Sequence, residues 1–84
     1  MIELLNFLIK NLVKNQDAVV IEEQDSKTFD GNNSKIYIIS VDESDLGVLI
    51  GKGGQTIKAI RNLAKVKAVN LGVYVDIKIK EKDK

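Results

Sequence analysis

Residues 46–60 read LGVLIGKGGQTIKAI and contain four of the six glycines in this 84-residue chain. Three of those glycines fall in the tetrapeptide at 51–54, between two segments whose apolar residues recur at helical spacing. Glycine lets another backbone approach closely because it has no Cβ, and the helix after the loop directs its free N–H groups and positive dipole end into the corner. With Lys52 as a mobile cation, this corner is typical of a phosphate-binding site.

The charge distribution around the loop favours the same interpretation. No Asp or Glu occurs from Leu46 to Val75, whereas five basic residues do: Lys52, Lys58, Arg61, Lys65 and Lys67. The formal net charge of only +1 therefore hides a basic half, and local charge of this kind attracts nucleic-acid phosphates. The alternative is that the basic residues form a solvated helix face.

The composition argues against an enzyme. The chain has no Cys and no His, which removes thiol nucleophiles, thiolate metal sites and the commonest general base. Nucleotide-binding glycine motifs also fail, because Gly47 and Gly51 are separated by three residues rather than four and the loop does not follow a strand. We expect a binding module with no catalytic residue, no cofactor and no metal.

Apolar periodicity predicts six elements in the order helix-strand-strand-helix-helix-strand. They are expected at 1–14, 18–23, 35–41, 43–50, 55–69 and 73–80. The polar connector 24–34, with a turn signal at 30–33, makes the first two strands an antiparallel hairpin, and the crossover through two helices makes the last two strands parallel. We expect an α+β fold with three helices on one face of a three-stranded mixed sheet, forming one domain over residues 1–84 with a frayed tail at 81–84.

Some faces of these elements have more than one interpretation. The apolar stripe of the first helix favours core packing, with a membrane-surface or partner-binding helix as the alternative. Ile60 and Leu63 of the long helix are expected in the core, and Asp42 is expected to cap the helix after it. The sheet face directed away from the helices would carry the apolar residues Val20, Ile36, Ile38 and Tyr74, which suggests self-association or a protein partner.

No segment approaches the ~18–20 apolar residues of a membrane span. The apolar run at 1–13 carries polar residues throughout and lacks the features of a signal peptide. We therefore expect a cytoplasmic protein that does not associate with membranes.

The quoted segment resembles the signature of the KH domain. The aliphatic pair Leu49 and Ile50 precedes a GxxG loop at 51–54, Ile57 follows three positions on, and Gly47 matches another common KH position. The element order resembles the type II arrangement, and nearly the whole chain is similar to the small bacterial RNA-binding proteins of the KhpA family.

This resemblance implies a protein that clamps about four nucleotides of single-stranded RNA through the GxxG loop. The loop would hold the sugar-phosphate backbone, while the groove beside it would hold bases on aliphatic side chains, for which core packing of Ile50 and Ile57 is the alternative. Lys58 and Arg61 would meet phosphates. The implied RNA-binding residues are Gly47, Ile50, Gly51, Lys52, Gly53, Gly54, Gln55, Thr56, Ile57, Lys58 and Arg61.

Two functions follow from the resemblance. The first is single-stranded RNA binding, as an RNA chaperone or post-transcriptional regulator, with modest affinity and weak base preference because no aromatic residue lies near the loop. The second is a protein–protein adaptor that uses the KH fold to form a homodimer, or a heterodimer with a larger KH-containing RNA-binding protein, KhpB. The residues leave open whether RNA or single-stranded DNA is preferred.

Overall fold

A computed structural model describes residues 1–27, 31 and 33–80 of the chain. Its helices and strands are α1 (Ile2–Lys10), β1 (Val20–Lys27), β2 (Asn33–Ser40), α2 (Leu46–Ile50), α3 (Gln55–Leu71) and β3 (Tyr74–Ile79). Short 3₁₀ turns occupy Gln16–Ala18, Glu43–Asp45 and Lys52–Gly54. The predicted order of elements is confirmed over the described residues.

The three strands form one mixed sheet with β2 in the centre. β1 pairs with β2 in antiparallel orientation, from Val20 opposite Ser40 to Lys27 opposite Asn33. β3 pairs with β2 in parallel orientation, from Tyr74 opposite Ser34 to Ile79 opposite Ile39. Both predicted pairings are confirmed, and they leave β1 and β3 as the two edges of the sheet.

The hairpin is longer than its polar sequence suggested. The prediction of a connector over 24–34 is wrong at its ends, because β1 continues to Lys27 and β2 begins at Asn33. Cross-strand side chains stabilise this extension: Lys35 Nζ lies 3.1 Å from Glu23 Oε2 and 3.3 Å from Asp25 Oδ1. Residues 30 and 32 of the turn signal at 30–33 lie outside the described residues, as does the whole tail at 81–84.

A buried tyrosine belongs to the same cross-strand group. Tyr37 Oη donates a hydrogen bond of 2.9 Å to Glu23 Oε1 on the neighbouring strand. Burial, and then the hydrogen bond to Glu23, raises the pKa of Tyr37 to about 12. The hydrogen bonds from Tyr37 and then Lys35 lower the pKa of Glu23. At neutral pH the Tyr37 hydroxyl is therefore protonated and the Glu23 carboxylate is ionised.

The hydrophobic core lies between the helices and one face of the sheet. It combines residues of all three described helices with odd-numbered strand residues: Leu5, Ile9, Leu49, Ile57, Ile60, Ala64, Tyr37, Ile39 and Ile77. Alternate strand residues point to opposite faces, so all three helices cover the same side, as predicted. The alternative of a membrane-surface or partner-binding α1 is not supported, because its stripe is buried in the core. In the part of the chain that the structure describes, no helix could span a membrane.

The first helix ends earlier than its apolar stripe suggested. The helix predicted over 1–14 stops at Lys10, where the side chain of Asn11 donates a 2.6 Å hydrogen bond to the Phe7 carbonyl. The chain then turns, although Val13 is still buried in the core. The apolar spacing indicated burial correctly but did not distinguish a helix from a packed turn.

The turn after α1 is fixed by a buried carboxylate. Among the described residues Asp45 is the one buried charged side chain, with 2% of its surface exposed. Its two oxygens accept hydrogen bonds from the backbone N–H groups of Lys14 (3.1 Å) and Asn15 (3.0 Å). Since Asp45 directly precedes α2, these bonds hold the start of α2 against the turn that follows α1.

The helix predicted over 43–50 is divided in two. Its first residues form the 3₁₀ turn Glu43–Asp45, and regular α-helix begins only at Leu46. Asp42 caps the turn as predicted, because its carboxylate accepts from the Ser44 N–H. α3 continues to Leu71 rather than 69 and ends at Gly72 in the left-handed conformation.

Candidate nucleic-acid interface

The corner between α2 and α3 is made within four residues. α2 ends at Gly51, the 3₁₀ turn Lys52–Gly54 follows, and α3 begins at Gln55. The N–H of Gly51 donates to the Gly47 carbonyl (2.9 Å), and the N–H of Gly54 donates to the Gly51 carbonyl (3.1 Å). The predicted glycine loop therefore exists as a tight, internally bonded turn.

Gly51 is the position at which this turn requires glycine. Its φ of 78° and ψ of 170° belong to a region that only glycine adopts without strain. A Cβ at this position would overlap with Thr56 Oγ1 and would lie 2.8 Å from the Thr56 backbone nitrogen. The loop main chain thus packs directly against the first turn of α3.

The opposite side of the loop is open. Gly53 has φ 63° and Gly54 has φ 77°, and a Cβ added at either position would meet nothing within 4 Å. Lys52 and Gly53 are exposed, and no side chain caps the first turn of α3. The free N–H groups at that helix end and the bare main chain are therefore accessible to an anion.

The structure places the predicted site residues in three environments. Gly47, Lys52, Gly53, Gln55, Lys58 and Arg61 are exposed, and Ile50, Gly51, Gly54 and Thr56 are half-buried. Ile57 is 7% exposed and belongs to the core, so core packing is the correct alternative for it. Ile50 packs against the core but keeps part of its surface in solvent beside the loop.

A basic stripe continues from the loop along α3. Lys58, Arg61 and Lys65 occupy positions i, i+3 and i+7 and share one side of the helix, whereas Lys67 lies on another. Arg61 Nε donates a 3.2 Å hydrogen bond to the carbonyl oxygen of Ile77 in β3. That contact places the stripe next to the free edge of β3. No carboxylate of the described residues pairs with the stripe.

A second apolar stripe on α3 faces solvent, and the sequence prediction missed it. Leu63, Val66 and Val69 are 50%, 65% and 78% exposed. The expectation of Leu63 in the core is wrong. Three residues of an α-helix advance about 300°, which is about 60° short of a full turn. Successive residues at 60, 63, 66 and 69 therefore point progressively further from the core. We call these three residues the outer apolar stripe of α3.

The sheet face away from the helices has the predicted composition. Ile36 and Ile38 are half-buried there, and Val20 and Tyr74 are exposed. The same face carries charged residues from both edge strands. Within the described residues, no group of three or more His, Cys, Asp or Glu side chains could hold a metal ion.

Comparison with known proteins agrees with this geometry. The family model described as KhpA/KhpB, KH domain, matches residues 2–79. The RNA-binding protein KhpA of Chlamydia pneumoniae is 42% identical over 79 residues, which cover 94% of this chain and 95% of that protein. The RNA-binding protein KhpA of Thermotoga maritima is 41% identical over 61 residues, which cover 73% of this chain and 75% of that protein.

Solved structures show the same fold within a larger protein. The chain superimposes on Era from Aquifex aeolicus with a TM-score of 0.70 at 21% identity. It superimposes on Era in complex with MgGDPNP and nucleotides 1506–1542 of 16S ribosomal RNA with a TM-score of 0.71 at 23% identity. In both cases 93% of this chain is covered but only 29% of the Era chain, so the likeness shows the fold alone.

The match over residues 2–79 establishes the family and confirms the expected resemblance and α+β fold. Because that family is non-enzymatic, the expectation that this protein is not an enzyme is confirmed as well. The chain belongs to the KhpA/KhpB family of KH-domain proteins.

Proposed function

We propose that this protein binds single-stranded RNA at the loop 51–54 and along the basic stripe of α3. The observation that carries the proposal is the bare, exposed main chain of the loop at the uncapped start of α3. The relatives named RNA-binding protein KhpA support RNA as the ligand. The absence of Asp and Glu from residues 46–75, together with the five basic residues there, supports binding to a polyanion.

The proposed footprint is small. The loop clamps about four nucleotides of the backbone, as KH domains do, and the exposed part of Ile50 contacts a base. No aromatic residue occurs between positions 38 and 73, so stacking worth ~1–3 kcal/mol per base is not supplied from this segment. We expect modest affinity, weak base preference and a steep loss of affinity with salt.

The cellular part of the proposal follows from this weak, general binding. A single domain over residues 1–84 that contacts many RNAs briefly is suited to act as an RNA chaperone or post-transcriptional regulator. A cytoplasmic location belongs to the same proposal, because transcripts are accessible there.

The test places negative charge where the phosphate should lie. In the variant Lys52→Asp with Gly53→Asp, two carboxylates occupy exposed loop positions, and Asp tolerates the left-handed conformation at 53. We expect binding of a fluorescent single-stranded RNA of about ten nucleotides, measured by anisotropy, to weaken at least about tenfold because the main-chain contact is repelled.

The matched control changes net charge equally at a distant surface. Gln24→Glu with Lys78→Glu alters the sheet face that points away from the helices, and should leave affinity within about twofold. A circular dichroism spectrum establishes that both variants fold. Equal affinity of a folded loop variant and the wild-type protein would show that the clamp is assigned wrongly. The same RNA sequence as DNA measures the contribution of the 2′-OH.

Protein–protein assembly is the second candidate function, and the outer apolar stripe of α3 favours it. Three large apolar side chains exposed on one helix are typical of an interaction surface. The partner is a second copy of the chain or a larger KH-containing protein of the KhpB kind. The sheet face with Ile36 and Ile38 stays a predicted alternative surface.

Sedimentation of the protein at increasing concentration tests assembly. We expect a concentration-dependent dimer that Leu63→Gln with Val66→Gln converts to a monomer, whereas Val48→Gln, at an exposed apolar residue of α2, has no effect. A wild-type protein that stays monomeric up to about millimolar concentration would exclude the homodimer, and a dimer that survives the α3 changes would point to the sheet face.

A further inference from the structure

The edge of β3 that does not pair with β2 lies beside the basic stripe, and the direction of its backbone groups follows from the pairing on the other edge. The Lys80 N–H donates 2.8 Å to the Ile39 carbonyl of β2. In a parallel pair, alternate residues direct both backbone groups to the same neighbour. Even-numbered residues of β3 therefore bond to β2, and the N–H and C=O of Ile77 point to the free edge.

Side chains of the protein satisfy both of these edge groups. Asp76 Oδ1 accepts from the Ile77 N–H at 2.9 Å, and Arg61 Nε donates to the Ile77 carbonyl at 3.2 Å. The neighbouring edge groups of Val75 and Ile79 have no partner within the described residues. The edge is thus closed at its centre by a cation that comes from α3.

The bond to Ile77 uses only one part of the Arg61 side chain. A guanidinium has five N–H donors in a planar fork, and Nε supplies just one of them. The two Nη groups have no partner among the described residues, and the side chain is exposed. Their orientation is fixed because the Nε–H holds the plane of the fork against the strand.

The position of this fork relative to the loop suits a shared ligand. Arg61 lies seven residues after Gly54, which is about 10 Å along the axis of α3. Lys58 lies between them on the same side of the helix. A strand whose backbone is held at the loop can therefore follow the stripe and reach Arg61.

We propose that Arg61 is a pre-oriented phosphate fork, in which Nε is anchored on the Ile77 carbonyl and the two Nη groups bind one phosphate beside the clamp. The proposal rests on the RNA-binding function proposed above. It distinguishes Arg61 from Lys58, which acts as a mobile point charge. Lysine cannot replace Arg61, because one ammonium group cannot both anchor on β3 and keep the geometry of a bidentate contact.

The experiment compares charge-conserving exchanges at one position of the stripe and at one position on another side of α3. Arg61→Lys is expected to weaken binding of a short single-stranded RNA about five- to twentyfold at fixed salt, although net charge is unchanged. Lys67→Arg, the reciprocal exchange on another side of α3, is expected to change affinity less than about twofold. Lys67→Gln, on another side of α3, removes one charge and serves as the control for nonspecific charge effects.

The salt dependence separates a phosphate contact from a purely structural role. Arg61→Met should reduce the slope of log affinity against log salt by about 0.7, the value for one phosphate contact of a single strand. Lys67→Gln should leave the slope unchanged. Thermal unfolding of each variant verifies that affinity is measured on folded protein.

The outcomes are distinguishable. A wild-type protein without salt-dependent RNA binding would overturn the proposed function and this inference with it. A wild-type protein that binds RNA, combined with Arg61→Lys of equal affinity, would overturn the fork alone. Arg61→Met that loses stability but keeps the salt slope would show that Arg61 only closes the edge of β3.

Discussion

Replacing three glycines one at a time by alanine tests the geometry of the loop directly. Gly47 lies in α2, Gly53 lies in the left-handed region with open space around it, and Gly51 packs against Thr56. The three exchanges add the same methyl group within seven residues of chain. Their effects should nevertheless differ in sign and size, because the backbone conformation and the neighbours differ.

The magnitudes follow from these environments. Gly47→Ala should stabilise the fold by roughly 0.5–1 kcal/mol, the usual gain of alanine over glycine within a helix. Gly53→Ala should destabilise the fold by about 1–2 kcal/mol, which is the cost of the left-handed conformation for an L-residue. No steric clash adds to this cost, because the space around Gly53 is open.

Gly51→Ala should destabilise most. The conformation at Gly51 costs a non-glycine residue about 1–3 kcal/mol. The 2.8 Å approach of the new Cβ to the Thr56 backbone nitrogen must also be relieved by moving the start of α3, at a further cost of about 1–3 kcal/mol. The sum of about 4 kcal/mol is a large part of the roughly 4–13 kcal/mol expected for a domain of this length.

Urea unfolding followed by far-UV circular dichroism measures all three variants. The expected order of urea midpoints, from highest to lowest, is Gly47→Ala, wild type, Gly53→Ala and Gly51→Ala. Thermal unfolding should give the same order, with the melting temperature changing by about 4–8 °C for each kcal/mol. If Gly51→Ala unfolds at the same urea concentration as Gly53→Ala, the close packing of the loop against Thr56 is refuted.

Three further outcomes are expected for the core and the sheet. Asp45→Asn should destabilise the fold by about 2–3 kcal/mol in urea unfolding. The carboxylate accepts hydrogen bonds from two backbone N–H groups, and in the variant one of these N–H groups would face the NH₂ of the amide and lose its acceptor. Burial and the hydrogen bond to Glu23 raise the pKa of Tyr37 to about 12. The protonated hydroxyl therefore makes its full contribution to the free energy of unfolding below about pH 10, and this contribution is lost as the pH rises from about 10 to 12. Tyr37→Phe should remove this pH dependence in unfolding measured at a series of pH values. Leu63→Ala should change the free energy of unfolding by less than about 1 kcal/mol, because Leu63 is half exposed. Ala64→Leu should lower the free energy of unfolding by about 1–3 kcal/mol, because it overpacks the core. Equal effects of the two exchanges would show that the core face of α3 is assigned wrongly.

Local sequence patterns were sufficient for the loop and for the order of elements. Glycines at 51, 53 and 54 adopt positive φ and form the corner that their clustering predicted. The alternation in β3 and the run in β2 placed Tyr37, Ile39 and Ile77 on the inner face correctly. These features depend on residues close together in the chain, where periodicity carries the information.

The misplaced residues of α3 have a specific physical origin. Ile57, Ile60, Ala64 and Ala68 face the core, so two small alanines continue the buried face of the helix, whereas the larger Leu63, which was expected there, is exposed. Hydrophobicity alone could not rank these positions. The choice depends on how closely α3 approaches the sheet, which small side chains permit.

The sequence contained enough local information for a KH-type corner, its basic surroundings and the sheet pairing, because glycine conformation, charge and apolar period act over a few residues. The folded chain was needed to show that Asp45 holds backbone 30 and 31 residues away, and that Arg61 reaches an edge carbonyl 16 residues further on. Such contacts join segments that no local period relates. They arise only when folding brings the turn after α1 against the start of α2 and packs α3 against β3, and they set the positions of the loop and of the cation beside it.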